Sequence, residues 1–143
     1  VNSRLDEIQA ALLSAKLKHV TELEDDRRRV AEKYLKEINN PLIALPKIKE
    51  GFKHVWHLFV VKCNQRDELQ RYLSDNGIGT QIHYPVPPHL SGAYKRFGYK
   101  KGDFPITEDY ADTVLSLPLY NGMTDEEADY VIEKINMFKG VSV

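Results

Sequence analysis

The stretch Val55-Trp56-His57-Leu58-Phe59-Val60-Val61 decides how this chain is read. It is apolar on both alternating faces and rich in β-branched and aromatic residues, as suits a strand covered on both sides. Such a strand needs partners, and two short stretches supply them: Gly79 to His83, and Leu115-Ser116-Leu117-Pro118-Leu119, whose proline pushes it toward an edge or an end. Trp56 and Phe59 read as core. His57 does too, because a lone histidine in an apolar strand is more often a hydrogen-bonded core residue than a ligand or base.

Helical patterns surround these strands. From Arg4 to about Ile38 the apolar residues Leu5, Ile8, Leu12, Ala15, Leu23, Val30, Tyr34 and Ile38 recur at helical spacing, as one helix or as two joined by a kink near His19 to Glu24. Asn2 or Ser3 can cap its start, with Asp6 and Glu7 in the first turn. The charge run Glu22 to Arg29 interleaves opposite signs and reads as a solvated helix face. Asn39-Asn40-Pro41 ends the pattern, and Leu42 to Phe52 is a connecting segment. Asp67 to Asn76 is an amphipathic helix stopped by Gly77. Pro85, Pro87 and Pro88 force an extended turn, followed by a helical His89 to Phe97 and a loop to Phe104. Ile106 to Val114 is a helix capped by Thr107, and Thr124 with Glu127 forms a capping box that opens a last helix through Phe138. The order predicts an α+β fold: a long N-terminal helical region over residues 1–40, then a small domain over 41–143 with a three-stranded sheet packed on helices.

Bulk properties narrow the function. The 143 residues suffice for one modest core, and 42% hydrophobic with 29% charged residues is an ordinary globular balance. A net charge of −1 gives no broad attraction for nucleic acid or an anionic membrane. No apolar run is long enough to span a bilayer. The single cysteine, Cys63, has no nearby partner for metal binding or nucleophilic work and fits a cytoplasmic protein. The five histidines show no metal-ligand spacing. A chain that starts at Val1 and runs straight into a helical pattern reads as a piece of a larger protein continuing upstream.

Several motifs then align in order: Asn2-Ser3-Arg4-Leu5-Asp6-Glu7-Ile8-Gln9-Ala10-Ala11, Trp56-His57-Leu58-Phe59, Gly77-Ile78-Gly79-Thr80 with Ile82-His83-Tyr84-Pro85 and His89-Leu90, Phe104-Pro105-Ile106-Thr107-Glu108, and Leu115-Ser116-Leu117-Pro118. Together they resemble the DegT–DnrJ–StrS family of sugar aminotransferases over nearly the whole chain. The resemblance implies the small C-terminal domain of a type I aminotransferase fold that depends on pyridoxal phosphate, and a homodimer with active sites at the subunit interface. It implies transfer of an amino group, usually from glutamate, to a keto group on a nucleotide-linked deoxysugar, in polysaccharide or deoxyaminosugar biosynthesis. The sequence is most similar to branches that aminate C3 of dTDP-3-keto-6-deoxyhexoses.

The same resemblance implies roles for particular residues. Asn2 would reach across a dimer to the cofactor phosphate, against the plainer reading of a helix cap, and Arg4 would pair with a phosphate or carboxylate or stand solvated. His83 and Tyr84, where a strand meets the proline-stiffened turn, would hydrogen-bond a sugar hydroxyl or a diphosphate. Alternatively Tyr84 packs beneath the prolines and His83 satisfies a carbonyl. His89 is a further substrate candidate or the cap of the next helix. Schiff-base chemistry needs a lysine and an acid for the pyridinium nitrogen. The resemblance sets both upstream of Val1, so the chain alone is expected to lack transaminase activity and to hold no cofactor. Two other readings compete: a non-catalytic module that binds a nucleotide sugar, and a regulatory protein on the same fold. The first helix is expected to expose apolar surface and drive self-association.

Overall fold

Two four-residue strands form the centre of the molecule. In the computed structural model, which describes residues 4–141, β1 (Phe59–Lys62) and β2 (Val114–Leu117) pair antiparallel in the register Phe59↔Leu117, Val60↔Ser116, Val61↔Leu115, Lys62↔Val114. The helices are α1 (Glu7–Leu17), α2 (Val20–Glu37), α3 (Arg66–Asp75), α4 (Pro105–Thr113) and α5 (Asp125–Met137), and two 3-10 turns cover Pro88–Leu90 and Gly92–Phe97. The pleat sends Phe59, Val61, Leu115 and Leu117 into the core, where they meet Val30, Ala31 and Tyr34 of α2, Leu69 and Leu73 of α3, and Ala128, Val131, Ile132 and Ile135 of α5. Helices thus cover one face of the sheet, and the other face is free for a site.

The sheet is smaller than expected. The third strand is reduced to one bridge, Gln81 to Ser116, and a second bridge joins Ala44 to Lys62 on the opposite side. Beyond Gln81 the chain leaves the ladder and runs into the turn with Pro85, Pro87 and Pro88, which have no N–H to donate. The central strand also begins late. Trp56 sits at φ 48°, a left-handed conformation costing a non-glycine residue about 1–2 kcal/mol. That turn leaves Val55 and His57 exposed while Trp56 is buried and stacks on Phe59 at 5.2 Å. His57 is therefore a surface residue rather than the core residue its apolar neighbours suggested.

The charge run on α2 pairs within itself as expected, Arg28 with Asp25 and Arg29 with Asp26, but it also reaches beyond its own helix. Arg27 Nη1 donates to the carbonyls of Trp56, His57 and Leu119 at 3.1–3.2 Å, and its Nε donates to Asn121 Oδ1 at 3.1 Å. Arg29 donates to the Met123 carbonyl at 2.6 Å and to Asp26 at 3.0 Å, and pairs with Asp125. Asp26 accepts the Gly122 N–H at 2.6 Å. Asp26, Arg27 and Arg29, all within about one turn of α2, thus hold the loop before β1 and the loop after β2 against one helix.

Several other local expectations meet the structure. The N-terminal pattern breaks at Lys18-His19, where the predicted kink lies. Gly77 takes a left-handed φ of 73° after α3, and Thr124 forms the capping box with Glu127 at the start of α5. Asn40 closes two ends together: its Nδ2 donates to the Ile135 and Phe138 carbonyls at 2.7 Å, and its Oδ1 accepts the Leu42 N–H at 2.9 Å. Around α4 the caps differ, since the helix opens on Pro105 and Phe104 takes the cap position instead of Thr107. His89 to Phe97 forms 3-10 turns rather than an α-helix.

No residue of α1 is buried, and Ile8, Leu12 and Leu17 are 73%, 68% and 69% exposed. A helix apolar on several sides is stable in water only when something covers it. Sedimentation at rising concentration should show the chain self-associating, and Leu12→Glu should abolish that; a strict monomer at high concentration refutes it.

The Asp26 carboxyl is held below the usual carboxylate range by the Gly122 N–H and then by Arg29. A lowered folded-state value gives stability that is present above the ordinary range and lost as pH falls through the folded one. Thermal melts should therefore show an acid-side loss of stability that Asp26→Asn diminishes, at a cost of about 1 kcal/mol at neutral pH. An unchanged acid limb in that variant would refute the assignment.

Candidate substrate cavity

On the sheet face turned away from the core, Val60 and Lys62 of β1 and Val114 of β2 form the floor of a cavity of about 660 Å³. Ala44 to Lys47 make one wall, the His83 to Pro88 turn makes another, and α4 closes the third side with Thr107 and Tyr110. This is an apolar hollow with a few polar groups around it, the usual form of a small-molecule site. It lies on the free face because the register puts Phe59, Val61, Leu115 and Leu117 on the other one.

His83 and Tyr84 belong to the cavity, as the sequence suggested. The His83 Nδ1 lies 2.9 Å from the Ser116 hydroxyl, so its second strand partner is a side chain of β2 rather than a backbone carbonyl. That contact fixes the ring, and leaves Nε2 for a ligand. Tyr84 stands edge-on to His83 with ring centroids 5.5 Å apart and is 74% exposed. The phenol is therefore open to solvent beside the cavity and does not pack beneath the prolines. Together they offer one imidazole and one hydroxyl that can hydrogen-bond a sugar hydroxyl or a phosphate oxygen.

His89 has a different place. Its side chain is almost buried, its Nε2 is 3.0 Å from Glu108 Oε1, and it does not line the cavity. Glu108 also accepts the N–H of Gly102 at 2.8 and 2.9 Å and that of Phe104 at 3.3 Å. Burial alone would raise the Glu108 pKa, but these two N–H groups and the His89 ring outweigh it and hold the carboxyl below its usual value. His89 is thus a brace that ties the 3-10 segment to α4. Of the remaining candidates, Arg4 is exposed and away from the cavity lining, and Asn2 lies outside the described residues.

Three polar residues at the cavity escaped the sequence reading: Lys47, Lys62 and Tyr110. Lys62 bonds Asp109 at 2.5 Å and lies 5.6 Å from the Tyr110 ring centroid. The signal for Lys62 was present in the alternation Phe59, Val60, Val61, Lys62, whose second and fourth members share the outer face. Nothing in the sequence brings Lys47 or Tyr110 there, because their approach depends on the Ala44 bridge and on the angle of α4. Cys63 is buried, and burial pushes its thiol pKa up, which makes it a poor nucleophile.

Glu108→Gln keeps the shape of the brace and removes its charge. Hydrogen exchange should become severalfold faster at the amides of Gly102 and Phe104 while the core amides of α2 and α5 keep their protection. Equal acceleration everywhere would show global destabilisation instead.

Comparison with known proteins places the chain. The model of the DegT/DnrJ/EryC1/StrS aminotransferase family matches residues 1–136. Over 138 residues the chain is 45% identical to dTDP-3-amino-3,6-dideoxy-alpha-D-galactopyranose transaminase of Aneurinibacillus thermoaerophilus, covering 96% of this chain and 38% of that protein. It is 41% identical to the pleiotropic regulatory protein of Geobacillus stearothermophilus, covering 96% of this chain and 38% of that protein. The solved structure of S. venezuelae DesV in complex with a ketimine intermediate superimposes with a TM-score of 0.91 at 41% identity, over 95% of this chain and 37% of that one. The chain spans less than two fifths of the length of these relatives, and its α+β fold is the matching part of a type I aminotransferase fold. The chain belongs to the DegT/DnrJ/EryC1/StrS aminotransferase family.

Proposed function

We propose that this chain is the small domain of a pyridoxal-phosphate-dependent sugar aminotransferase and that its cavity forms one side of the sugar site. The observation that carries this reading is His83, pinned to Ser116 beside the open phenol of Tyr84 at an apolar hollow. A rigid imidazole and a free hydroxyl suit a polyhydroxylated ligand whose ring carbons need an apolar floor. The whole protein would transfer an amino group from glutamate to the keto carbon of a dTDP-linked 3-keto-6-deoxyhexose, as a cytoplasmic homodimer supplying polysaccharide or deoxyaminosugar biosynthesis. The name of the Aneurinibacillus thermoaerophilus relative supports the sugar class. No helix among the described residues is long and apolar enough to cross a membrane.

The lysines of this chain do not fit the covalent role. All are exposed or half-buried, and Lys62, the one at the cavity floor, is paired with Asp109. A Schiff-base lysine needs a desolvated setting that lowers its pKa. The reading therefore assigns the cofactor, its lysine and its acid to the part of the family's length that this chain does not span. Asn2 and Arg4 remain proposed contacts to the cofactor phosphate in the complete dimer. His83 and Tyr84 bind and orient the sugar, and Val60 and Val114 of the floor keep water from its lower face.

A regulatory role on the same fold is the second reading, favoured by the name of the Geobacillus stearothermophilus relative. Absorbance of the full-length protein with pyridoxal phosphate separates the two. A near-visible band that shifts on adding glutamate supports the transaminase, and its absence favours the regulatory or binding reading. In that enzyme His83→Asn should lower kcat/KM roughly tenfold or more. The 143-residue chain alone should show no turnover with glutamate and a ketosugar nucleotide; turnover would refute the assignment of the lysine.

A further inference from the structure

Among the described residues, His19, His54, His83 and His89 each make a hydrogen bond through the ring, and the partner decides what a proton does there. His19 and His89 face carboxylates, so a proton strengthens the contact. The Ser116 hydroxyl beside His83 can turn from donor to acceptor. His54 differs from all three. Its Nδ1 faces the Trp56 backbone N–H at 2.9 Å, and a backbone N–H can only donate. The bond therefore exists only while Nδ1 is bare. A protonated imidazole carries hydrogen on both nitrogens and has no acceptor to offer.

That acceptor holds a strained residue. Trp56 sits at φ 48°, and its indole lies 4.2 Å from the His54 ring and 5.2 Å from Phe59. Its turn is held at three points: the N–H by His54, the carbonyl by Arg27 at 3.1 Å, and the ring by Phe59. Arginine keeps its charge at any ordinary pH, and Phe59 does not titrate. Of the three contacts, only the one to His54 is undone by a proton. His54 is exposed, so solvent protons reach it while the Trp56 side chain stays buried. The charges set against the turn are Arg27 from α2, with Lys53 and His57 in the same segment. No carboxylate pairs with His54 among the described residues, where the histidine pairs are those of His19 and His89. Three residues beyond Trp56 begins β1, whose Val60 and Lys62 are cavity floor.

We infer that His54 is a pH-sensitive latch on the Trp56 turn. Neutral, it fixes the left-handed residue and with it the leading end of β1. Protonated, it lets go, the Trp56 backbone relaxes toward an extended conformation, and the indole leaves its buried place for water. The contact needs the neutral ring, so its contribution to stability is present at high pH and lost as pH falls. An imidazole ordinarily takes up its proton between roughly pH 5 and 8, which sets the window. The floor of the cavity is thereby coupled to pH through its own strand, apart from anything that happens at His83. This inference is independent of the reaction proposed for the whole protein.

Trp56 is the single tryptophan of the chain, so intrinsic fluorescence reports the turn directly. Between about pH 8 and about pH 5 the emission maximum should move to longer wavelength in one reversible step, with helical circular dichroism unchanged. His54→Asn, whose side-chain oxygen can accept the same N–H without titrating, should hold the maximum constant through that window. His54→Ala should show the long-wavelength position at every pH. Amide exchange on the unaltered chain needs no variant: protection at Trp56, corrected for the pH dependence of exchange itself, should fall severalfold across the step while Val30 and Ile135 keep theirs. A fixed emission maximum overturns the inference, and so does a loss of intensity without a wavelength shift, which is quenching by the nearby imidazolium alone. A step that survives in His54→Asn, or protection at Trp56 that does not change, overturns it equally.

Discussion

The Arg27 guanidinium is the constraint on which the rest of the molecule depends. It gathers the carbonyls of Trp56, His57 and Leu119 from the two loops that flank the sheet, and Asn121 returns the contact by donating to the Leu23 carbonyl at 2.6 Å. Strands of four residues cannot fix their own ends, so the register follows from what holds the loops. The same guanidinium explains how Trp56 keeps a left-handed backbone: its carbonyl is bound by Arg27, its N–H by His54 Nδ1 at 2.9 Å, and its ring by Phe59. Strain of that kind persists only where the surroundings determine it from several sides. With Trp56 and Phe59 set, the core side of the sheet is settled and the other side becomes available to a ligand.

Local chemistry was legible in the sequence, and long-range geometry was not. The kink near His19, the stop at Gly77 and the Thr124 capping box are fixed by neighbours in the chain, and each is found where the residues indicate. The charge run on α2 was only half legible, because helical spacing shows which residues share a face and pair along it but not what lies opposite. Arg27 is separated from Leu119 by 92 residues, and no local pattern reports that distance. Val55 to Leu58 has the composition of a strand, yet a tertiary hydrogen bond turns it. The third strand failed too, since only Gln81 of Gly79 to His83 keeps a bridge to β2.

Within the candidate site, the turn was legible in the sequence, but the different surroundings of its members were not. His83, Tyr84 and His89 are equally plausible as text, because each sits beside a proline or at the end of a short element. Their separation comes from which acceptor the fold brings near: Ser116 for His83, solvent for Tyr84, and the Glu108 carboxylate for His89. Glu108 is four residues from Phe104 and six from Gly102, so a careful reader could anticipate a carboxylate reaching back over its own helix start. That it also takes a histidine from the preceding segment could not be anticipated. The brace matters beyond its own contacts, since it joins the proline turn on one side of the hollow to α4 on another.

The two single-residue bridges at the sheet margins bear on a different hazard. A two-stranded sheet leaves two rows of open N–H and C=O groups, and such rows recruit strands from other molecules. Here Ala44 occupies the β1 side and Gln81 the β2 side, each exchanging both backbone hydrogen bonds with its partner strand. Pro46 and Pro85 stand just beyond them and cannot donate to an incoming strand. Cross-β aggregation through this sheet is therefore blocked at both margins, although the chain carries large exposed apolar side chains. Those on α1 belong to a helix whose N–H groups are already spent internally, so the molecule can stick to others side chain to side chain without seeding fibrils.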